Sequence, residues 1–366
     1  MDVMTSKDII NELITNKKSS RMGVYDKPWP ETLDSWAKQG YPADESGRLV
    51  NPVDHFDFDI MEVGGWFEWE PLLGHREIVE ETDEWYVERN GAGAALKFWK
   101  HKCGTPEHVD FLMTSKEVWE GTYRPHLLEL NEKRVNIVDS KRQLEEARKK
   151  GKWACYGHLG LWEIMRSSLG DIAMLEAMLL DPEWILDFNR VYTDFYLAHY
   201  KVLFEKAGVP DGIWLYDDLA YKNGPFCSPD TLKELFFPFY KEIADFFHSY
   251  NLPVVFHCCG NMEKVLPMIV EAGYDALNPM ERKAGCDPLK FARQYKDKLA
   301  FIGGLDATVL ERGSRDEIIA ESRKLIDGMK EIGAAYIFGS DHSVSPIITY
   351  GNFKAAIDFS KENSSY

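Results

Sequence analysis

The sequence predicts an α/β protein, a TIM (β/α)8 barrel that spans residues 1–366 as a single domain and carries an insertion in its N-terminal half. From about residue 150 onward, short apolar or β-branched runs alternate six times with amphipathic stretches, which is the pattern of repeated βα units. Two earlier runs of the same kind bring the strands to eight, the number that a TIM barrel needs. The predicted strands are 21–25, 56–63, 153–157, 212–216, 254–257, 276–279, 300–303 and 335–338.

The helices between these strands are predicted from apolar residues that recur at three- and four-residue spacing. A helix over 231–250 follows Ser228-Pro229-Asp230, which supplies an N-cap and a proline for the first turn. Another helix, over 314–332, is expected to end at Gly333.

The segment 64–150 breaks the alternation and is predicted to be an insertion after the second strand. Within it, Asn90-Gly91-Ala92-Gly93 separates two strand-like runs and predicts a β-hairpin over 85–99. A helix over 127–150, rich in Glu, Lys and Arg, is expected to expose its charged face to solvent. A separate domain is conceivable, but one barrel with an insertion is the simpler account.

The composition excludes several classes of partner. Forty-three Lys and Arg against 60 Asp and Glu give a net charge of −17, which opposes binding to nucleic acid and to anionic membranes. The apolar runs are too short to span a bilayer, and the first residues lack the apolar core of a signal peptide. Six cysteines are too few for a disulfide scaffold. We therefore expect a cytoplasmic protein with reduced thiols.

In a TIM barrel the active site lies at the C-terminal ends of the strands. Acids, imidazoles and other polar groups follow nearly every predicted strand, and we expect about half of them to be ordinary loop residues. These strand-end residues are Tyr25, Asp26, Glu62, His158, Asp217, Asp218, His257, Cys259, Asn278, Glu281, Asp306, Asp341 and His342.

The most specific signal is His257-Cys258-Cys259 at the end of an apolar strand. Residues two apart on a strand face the same side, and imidazole with thiolate is a favoured ligand pair for Zn²⁺. Since strand ends converge on the barrel axis, His342 would be a third ligand and leave the fourth position open, as catalytic zinc requires. Cys258 is expected to face away from the axis. In the alternative, the cysteines pack as small apolar residues and the histidines only form hydrogen bonds. The spacing of the residues alone supports the two interpretations almost equally.

The second signal is Asp217-Asp218 after the predicted strand 212–216. Adjacent side chains on an extended segment face opposite ways, so one carboxylate enters the pocket while the other caps the loop. We assign Asp218 to the pocket, where it would complete a metal site, orient a ligand imidazole or move a proton. A simple loop cap is an equally good interpretation.

Several ordered runs together resemble the uroporphyrinogen decarboxylase superfamily, over about two thirds of the chain. These runs are Tyr221-Lys222-Asn223-Gly224-Pro225, His257-Cys258-Cys259-Gly260-Asn261, Glu271-Ala272-Gly273-Tyr274-Asp275-Ala276-Leu277-Asn278-Pro279, Phe301-Ile302-Gly303-Gly304-Leu305-Asp306 and the segment 342–352. The superfamily contains porphyrinogen decarboxylases, which use no metal, and zinc-dependent methyltransferases that work with corrinoid proteins. The resemblance implies a TIM barrel with one of these two chemistries.

The methyltransferase branch of that superfamily binds zinc through a His-x-Cys pair on the fifth strand and a third ligand after the eighth. His257 and Cys259 match the pair, and His342 occupies the position of the third ligand, where thiol-methylating members often have cysteine. A histidine at this position also occurs in decarboxylases. The resemblance thus implies His257, Cys259 and His342 as zinc ligands and a corrinoid-binding protein as partner.

The decarboxylases also carry an arginine-rich stretch after the first strand, which grips the substrate's carboxylates. The corresponding segment here, 21–30, has Asp26 and the aromatic residues Tyr25 and Trp29 instead. With Trp66, these side chains suit a smaller, flatter or less charged substrate than a tetrapyrrole.

Three functions follow as hypotheses. The first is a zinc-dependent O-demethylating methyltransferase that moves a methyl group from a small methoxylated, aromatic donor to the corrinoid (cobalamin) of a partner protein. The second is a metal-independent decarboxylase of a uroporphyrinogen-like or smaller acid, and the third is a non-catalytic corrinoid-binding scaffold. A homodimer is possible, but nothing in the sequence determines the oligomeric state. The assigned residues are Asp218 and Glu281 for catalysis, Tyr25, Trp29, Glu62, Trp66, Asp217 and Asn278 for substrate binding, and His257, Cys259 and His342 for zinc.

Overall fold

A computed structural model gives the fold of residues 4–101 and 105–366. Within these ranges the strands are β1 (Gly23–Val24), β2 (Ile60–Glu62), β3 (Arg76–Glu81), β4 (Trp85–Asn90), β5 (Ala94–Trp99), β6 (Glu107–Phe111), β7 (Trp153–Leu159), β8 (Gly212–Tyr216), β9 (Ala220–Tyr221), β10 (Gly224–Pro225), β11 (Val254–Cys258), β12 (Ala276–Pro279), β13 (Ala300–Ile302) and β14 (Tyr336–Phe338). The α-helices in the same ranges are α1 (Ser6–Asn11), α2 (Pro30–Ala37), α3 (Pro52–His55), α4 (Lys116–Val118), α5 (Ile137–Lys149), α6 (Leu161–Leu180), α7 (Pro182–Ala207), α8 (Pro229–Leu235), α9 (Phe237–Ser249), α10 (Leu266–Ala272), α11 (Pro288–Tyr295), α12 (Ala307–Arg312), α13 (Arg315–Ile332) and α14 (Tyr350–Glu362).

Eight of the strands form one parallel sheet in the order β1-β14-β13-β12-β11-β8-β7-β2. The two ends of this order meet through a 2.9 Å hydrogen bond from the backbone N–H of Asp59 to the carbonyl of Val24, so the sheet closes on itself. Helices follow the strands around the outside, as in a TIM barrel. The predicted fold class is confirmed, and each predicted barrel strand overlaps an observed one.

Two predicted helices differ in detail. The helix expected over 231–250 is divided into α8 and α9 at Phe236, because the ring of Pro238 cannot be placed within one continuous helix. The helix expected over 127–150 begins only at Ile137, where the side chain of Asn136 accepts a 3.2 Å hydrogen bond from the N–H of Asp139. Short 3₁₀ turns at Arg124–Leu127 and Glu132–Arg134 precede it.

Successive side chains along a barrel strand point alternately into the barrel interior and toward the surrounding helices. On β11, Val255 packs inside the barrel, whereas Val254, Phe256 and Cys258 pack against the surrounding helices. This alternation confirms that Cys258 faces away from the axis. It directs the residues on either side of Cys258, including His257, toward the barrel interior.

The stretch between β2 and β7 contains an antiparallel sheet in the order β3-β4-β5-β6. Strands β4 and β5 pair as a hairpin, and Asn90 Oδ1 accepts hydrogen bonds from the N–H groups of Ala92 and Ala94 at the turn. Trp119, from the same stretch, packs within 4.8 Å of Phe188 on α7, between ring centroids. We infer that residues 64–150 are an insertion that shares its apolar core with the barrel.

No helix within the described residues is both long enough and apolar enough to cross a membrane.

Candidate metal centre and adjoining cavities

Two paired barrel strands bring a carboxylate, an imidazole and a thiol together at their C-terminal ends. Asp218 lies just past β8, His257 is on β11, and Cys259 follows it. One ligand atom from each side chain lies within 4.8 Å of the other two. Among the residues that the structure describes, this is the one group of three or more His, Cys, Asp or Glu side chains close enough together to hold a metal ion.

The orientation of His257 is fixed from behind by Asn278. The amide nitrogen of Asn278 donates to the carbonyl of Ile302 at 3.2 Å, so its oxygen faces His257 and accepts from Nδ1 at 2.6 Å. Nδ1 therefore carries the proton, and Nε2, 3.6 Å from Cys259 Sγ, offers a lone pair to the site. Asn278 thus lies behind the imidazole and supports it.

The charges around the thiol are unfavourable to an ionised sulfur without a metal. Burial raises the pKa of Cys259, and nearby carboxylates, Asp218 first among them, raise it further. Burial lowers the pKa of His257 and keeps its imidazole neutral. A bound cation would reverse the first effect, because a metal ion stabilises the thiolate.

Asp218 also holds the loop that carries the thiol. Its Oδ1 accepts a 2.7 Å hydrogen bond from the N–H of Cys259. One residue later, the N–H of Gly260 donates to Glu281 Oε2 at 2.8 Å. Two carboxylates therefore secure successive peptide groups beside the site.

Asp217 has a different environment from its neighbour. It is fully buried, it accepts from the N–H of Glu163 at 2.8 Å and of Trp162 at 3.4 Å, and it accepts from the hydroxyl of Tyr240 at 2.5 Å. Asp217 thus caps the N-terminus of α6, where the N-cap residue, Gly160, has no side chain of its own. The structure directs its carboxylate into the protein core, away from the cavities next to His257.

His342 lies near the three-residue group but is not part of it. It lines a small cavity of about 30 Å³ together with His257 and Asn278. Its Nδ1 donates to the carbonyl of Ser343 at 3.2 Å, and its ring meets that of Trp29 edge-on at 6.3 Å between centroids. His342, Trp29 and Glu281 also line a second cavity of about 360 Å³.

A cluster of four polar side chains lies beside the small cavity, and three of them, Tyr25, Lys27 and Tyr216, line it. Glu62 accepts from Lys27 Nζ at 2.8 Å, from the hydroxyl of Tyr216 at 2.9 Å and from the hydroxyl of Tyr25. Burial favours the protonated acid, but the charge of Lys27 and these donors outweigh it, so the pKa of Glu62 is held below its ordinary value. The ring of Tyr216 in turn lies 4.7 Å from that of His257.

A third cavity, of about 480 Å³, lies beyond this cluster. Tyr25, Lys27 and Glu62 contribute to its wall, and so does Trp66, whose ring is 5.4 Å from that of Tyr216. Trp66 is 44% exposed, consistent with a side chain at a cavity mouth.

Three of the predicted strand-end residues have structural roles. His158 is buried among aromatic rings, and burial lowers its pKa to about 4. Asp306 caps α12 through a 2.8 Å hydrogen bond from the N–H of Thr308. Asp341 accepts from the N–H groups of Arg282 and Ala307 at 2.7 and 2.8 Å.

Residues 161–363, more than half of the chain, match the family model described as uroporphyrinogen decarboxylase (URO-D). The chain belongs to this family. The matched segment includes Asp218, His257, Cys259, Glu281 and His342. Lys27 and Glu62 lie outside it.

Curated relatives of this URO-D family member have two kinds of name. A uroporphyrinogen decarboxylase of Chlorobium limicola is 27% identical over 158 residues, 42% of each chain. A methylated-thiol–coenzyme M methyltransferase of Methanosarcina mazei is 25% identical over 173 residues, 45% of this chain and 44% of that protein. The chain spans less than half the length of the curated relatives it matches.

The solved structure of a methyltransferase from Methanosarcina mazei has the same fold as this URO-D family chain. The TM-score is 0.70 at 15% identity, and the alignment covers 98% of this chain and 99% of that one.

Sequence reasoning missed Lys27, which lines both the 30 Å³ and the 480 Å³ cavities. It is two residues beyond Tyr25, in a loop whose direction the alternation of a strand does not fix. Its position was the available signal, because Lys27 lies between Asp26 and Pro28, just after the first barrel strand.

Proposed function

We propose that this protein is a zinc-dependent methyltransferase that moves a methyl group from a small methoxylated donor to the corrinoid of a partner protein. The observation that carries the proposal is the group formed by Asp218, His257 and Cys259 at the C-terminal end of the barrel. Membership of the URO-D family and a methyltransferase among the relatives support it.

The three side chains suit zinc because of their ligand atoms and because the imidazole is already oriented for binding. Zn²⁺ is commonly held by imidazole nitrogen, thiolate sulfur and carboxylate oxygen, in sites with three protein ligands and one open position. His257 already has its Nε2 lone pair free of the proton, and Asn278 keeps it so. Zn²⁺ bound there would supply Lewis acidity toward the heteroatom that carries the methyl group.

We propose Asp218 as the third ligand and His342, the ligand expected from the sequence, as a residue on the open side of the site. Asp218 lies within reach of both other ligand atoms. With Asp218 and Cys259 ionised, the ligands carry two negative charges, whereas a set with His342 in place of Asp218 would carry one. Asp218 also supplies a hard oxygen donor, which a site with two thiolates lacks.

The other side chains would handle the donor and the proton. Glu281, fixed by Gly260 and lining the same cavity as His342, would donate a proton to the leaving oxygen. Trp66, partly exposed in the wall of the 480 Å³ cavity, would provide an aromatic surface for the donor.

A porphyrinogen decarboxylase is the alternative that the other relatives favour. Such a substrate carries many carboxylates and needs several cations. Among the described residues, Lys27, paired with Glu62, is the one lysine or arginine that lines the 30 Å³ and 480 Å³ cavities, and Lys283, paired with Glu311, is the one that lines the 360 Å³ cavity. The described cavities next to His257 therefore favour a less charged substrate.

The proposal predicts methyl transfer that depends on zinc. With a methoxyaromatic donor, reduced cobalamin or its carrier protein should become methylated, which its absorbance reports. Chelation should abolish this activity, and added Zn²⁺ should restore it. Methylation of free thiols only would reverse the assigned direction of transfer, and decarboxylation without metal would favour the alternative.

The ligand assignment predicts different outcomes for two variants. Asp218→Ala should lose most of its zinc, because one of three protein ligands is removed. His342→Ala should keep its zinc and lose activity. Metal analysis of both variants is the test, and zinc loss in His342→Ala with retention in Asp218→Ala would exchange the two roles.

A further inference from the structure

The 480 Å³ cavity opens where the barrel is most weakly closed. Strands β1 and β2 have only two and three residues, and the sheet ladder does not join them. They are joined instead by hydrogen bonds of Asp59 with Val24 and Arg21, and by the Lys27–Glu62 cluster at their C-terminal ends. We call this space the seam cavity; its outer walls are α3 and α5.

The seam cavity reaches the candidate metal centre through a single layer of side chains. Tyr25, Asp26 and Lys27 line both the seam cavity and the 30 Å³ cavity that His257 lines. The side chain of Lys27 is half exposed, so the layer is a rim between two spaces. A group that passes this rim would enter the 30 Å³ cavity that His257 and His342 line.

The charged residues around the seam cavity are already paired. Asp26 accepts from the N–H and the hydroxyl of Ser340, both at 2.8 Å. Lys27 is paired with Glu62, and Asp139 is paired with Arg142. A charged ligand would have to compete with these partners, whereas a neutral one would not.

The remaining wall combines apolar and aromatic surface with neutral polar groups, and among the described residues it has no charged side chain. Its apolar and aromatic members include Trp66, Pro52, Val53 and Met61, and its neutral polar members are Asn51, Asn136, Ser140 and Gln143. A volume of about 480 Å³ lies within the range typical of small-molecule sites.

We propose that the seam cavity binds the body of an uncharged aromatic ether, of one or two rings, and presents its methyl group across the Lys27–Glu62 rim. The axial opening of the barrel then stays free for the methyl acceptor. The fate of the methyl group rests on the proposed function, but the binding of the ring does not.

Binding without turnover is the first test. Calorimetry on the zinc-loaded protein would compare methoxybenzene, 4-methoxybenzoate and 4-methoxybenzylammonium. The neutral compound should bind at least tenfold more tightly than either charged one. Tighter binding of a charged compound would overturn the proposed ligand class.

Cavity-filling variants provide the second test. Gln143→Trp on α5 and Val53→Trp on α3 approach the seam cavity from two walls. Each should weaken binding of methoxybenzene at least tenfold and raise the donor KM by a similar factor, with the KM for cobalamin unchanged. Val138→Trp is the matched control, since Val138 is on α5 but is 82% exposed and outside the cavity.

The outcomes separate the two proposals. If no methyl transfer occurs but the two filling variants still block binding, the seam cavity stands and the proposed function fails. If methyl transfer occurs and neither filling variant changes binding or the donor KM, the seam cavity is not the donor site.

Discussion

Cys259→Ala is expected to purify without zinc and to transfer methyl groups at least about 100-fold more slowly than the wild type. Loss of a residue that only supports a ligand typically costs about 10- to 100-fold, so loss of the sole thiolate of the group should cost more. The Sγ atom of Cys259 lies within 4.8 Å of a ligand atom of Asp218 and of His257. Metal analysis and the cobalamin assay measure both effects.

Cys258→Ala is the matched control, one residue away. Cys258 is fully buried in the outer layer and belongs to the apolar core between β11 and the helices. Its replacement should leave the zinc content and the rate unchanged and reduce the free energy of unfolding by about 1 kcal/mol, since one buried atom is lost. Equal zinc loss in both variants would mean that the alternation of β11 is misassigned, and zinc retention in both would mean that Cys259 is not a ligand.

Asp217→Ala is expected to destabilise the fold by about 3 kcal/mol while leaving the ligand set intact. Loss of a helix cap costs about 1 kcal/mol, and the hydroxyl of Tyr240, left buried without its acceptor, adds about 1–3 kcal/mol. Urea unfolding measures the difference. Excess chelator in all samples removes the contribution of bound metal to stability.

Asp218→Ala is the natural comparison, because the two carboxylates are adjacent in sequence. In chelator it should be destabilised far less than Asp217→Ala, since its Oδ1 bonds a single N–H at Cys259. Without chelator it should lose zinc, while folded Asp217→Ala should retain it. The reverse pattern would show that Asp217 is the residue of the pair that serves the site.

Much of the barrel could be predicted because its strands are short apolar runs with helices between them. The register of the site was also predictable in part: His257 and Cys259 share a face because they are two apart, and Cys258 packs outside. The same argument placed Asp217 and Asp218 on opposite sides, but Asp217 was also assigned to substrate binding, whereas its carboxylate caps α6. The breaks in helices were not anticipated, since the effect of Pro238 depends on where α8 has to end.

The loops set the limit of sequence reasoning. His342 is four residues past the end of β14, so strand alternation does not determine where its ring points. Lys27 lies in the loop after β1 and Glu62 ends β2, two strands that are neighbours only because the barrel closes there. The 2.8 Å pairing of these side chains is therefore a property of the closed fold. The seam cavity lies beside β1 and β2, which have only two and three residues, and no local sequence pattern predicted strands this short.

The zinc content and sulfur coordination of the purified protein test the central claim most directly. We expect about one zinc per chain and an X-ray absorption spectrum with a single sulfur at about 2.3 Å, the rest of the shell being nitrogen and oxygen. A protein that folds, transfers methyl groups and contains no metal, or a zinc site without sulfur, would contradict it.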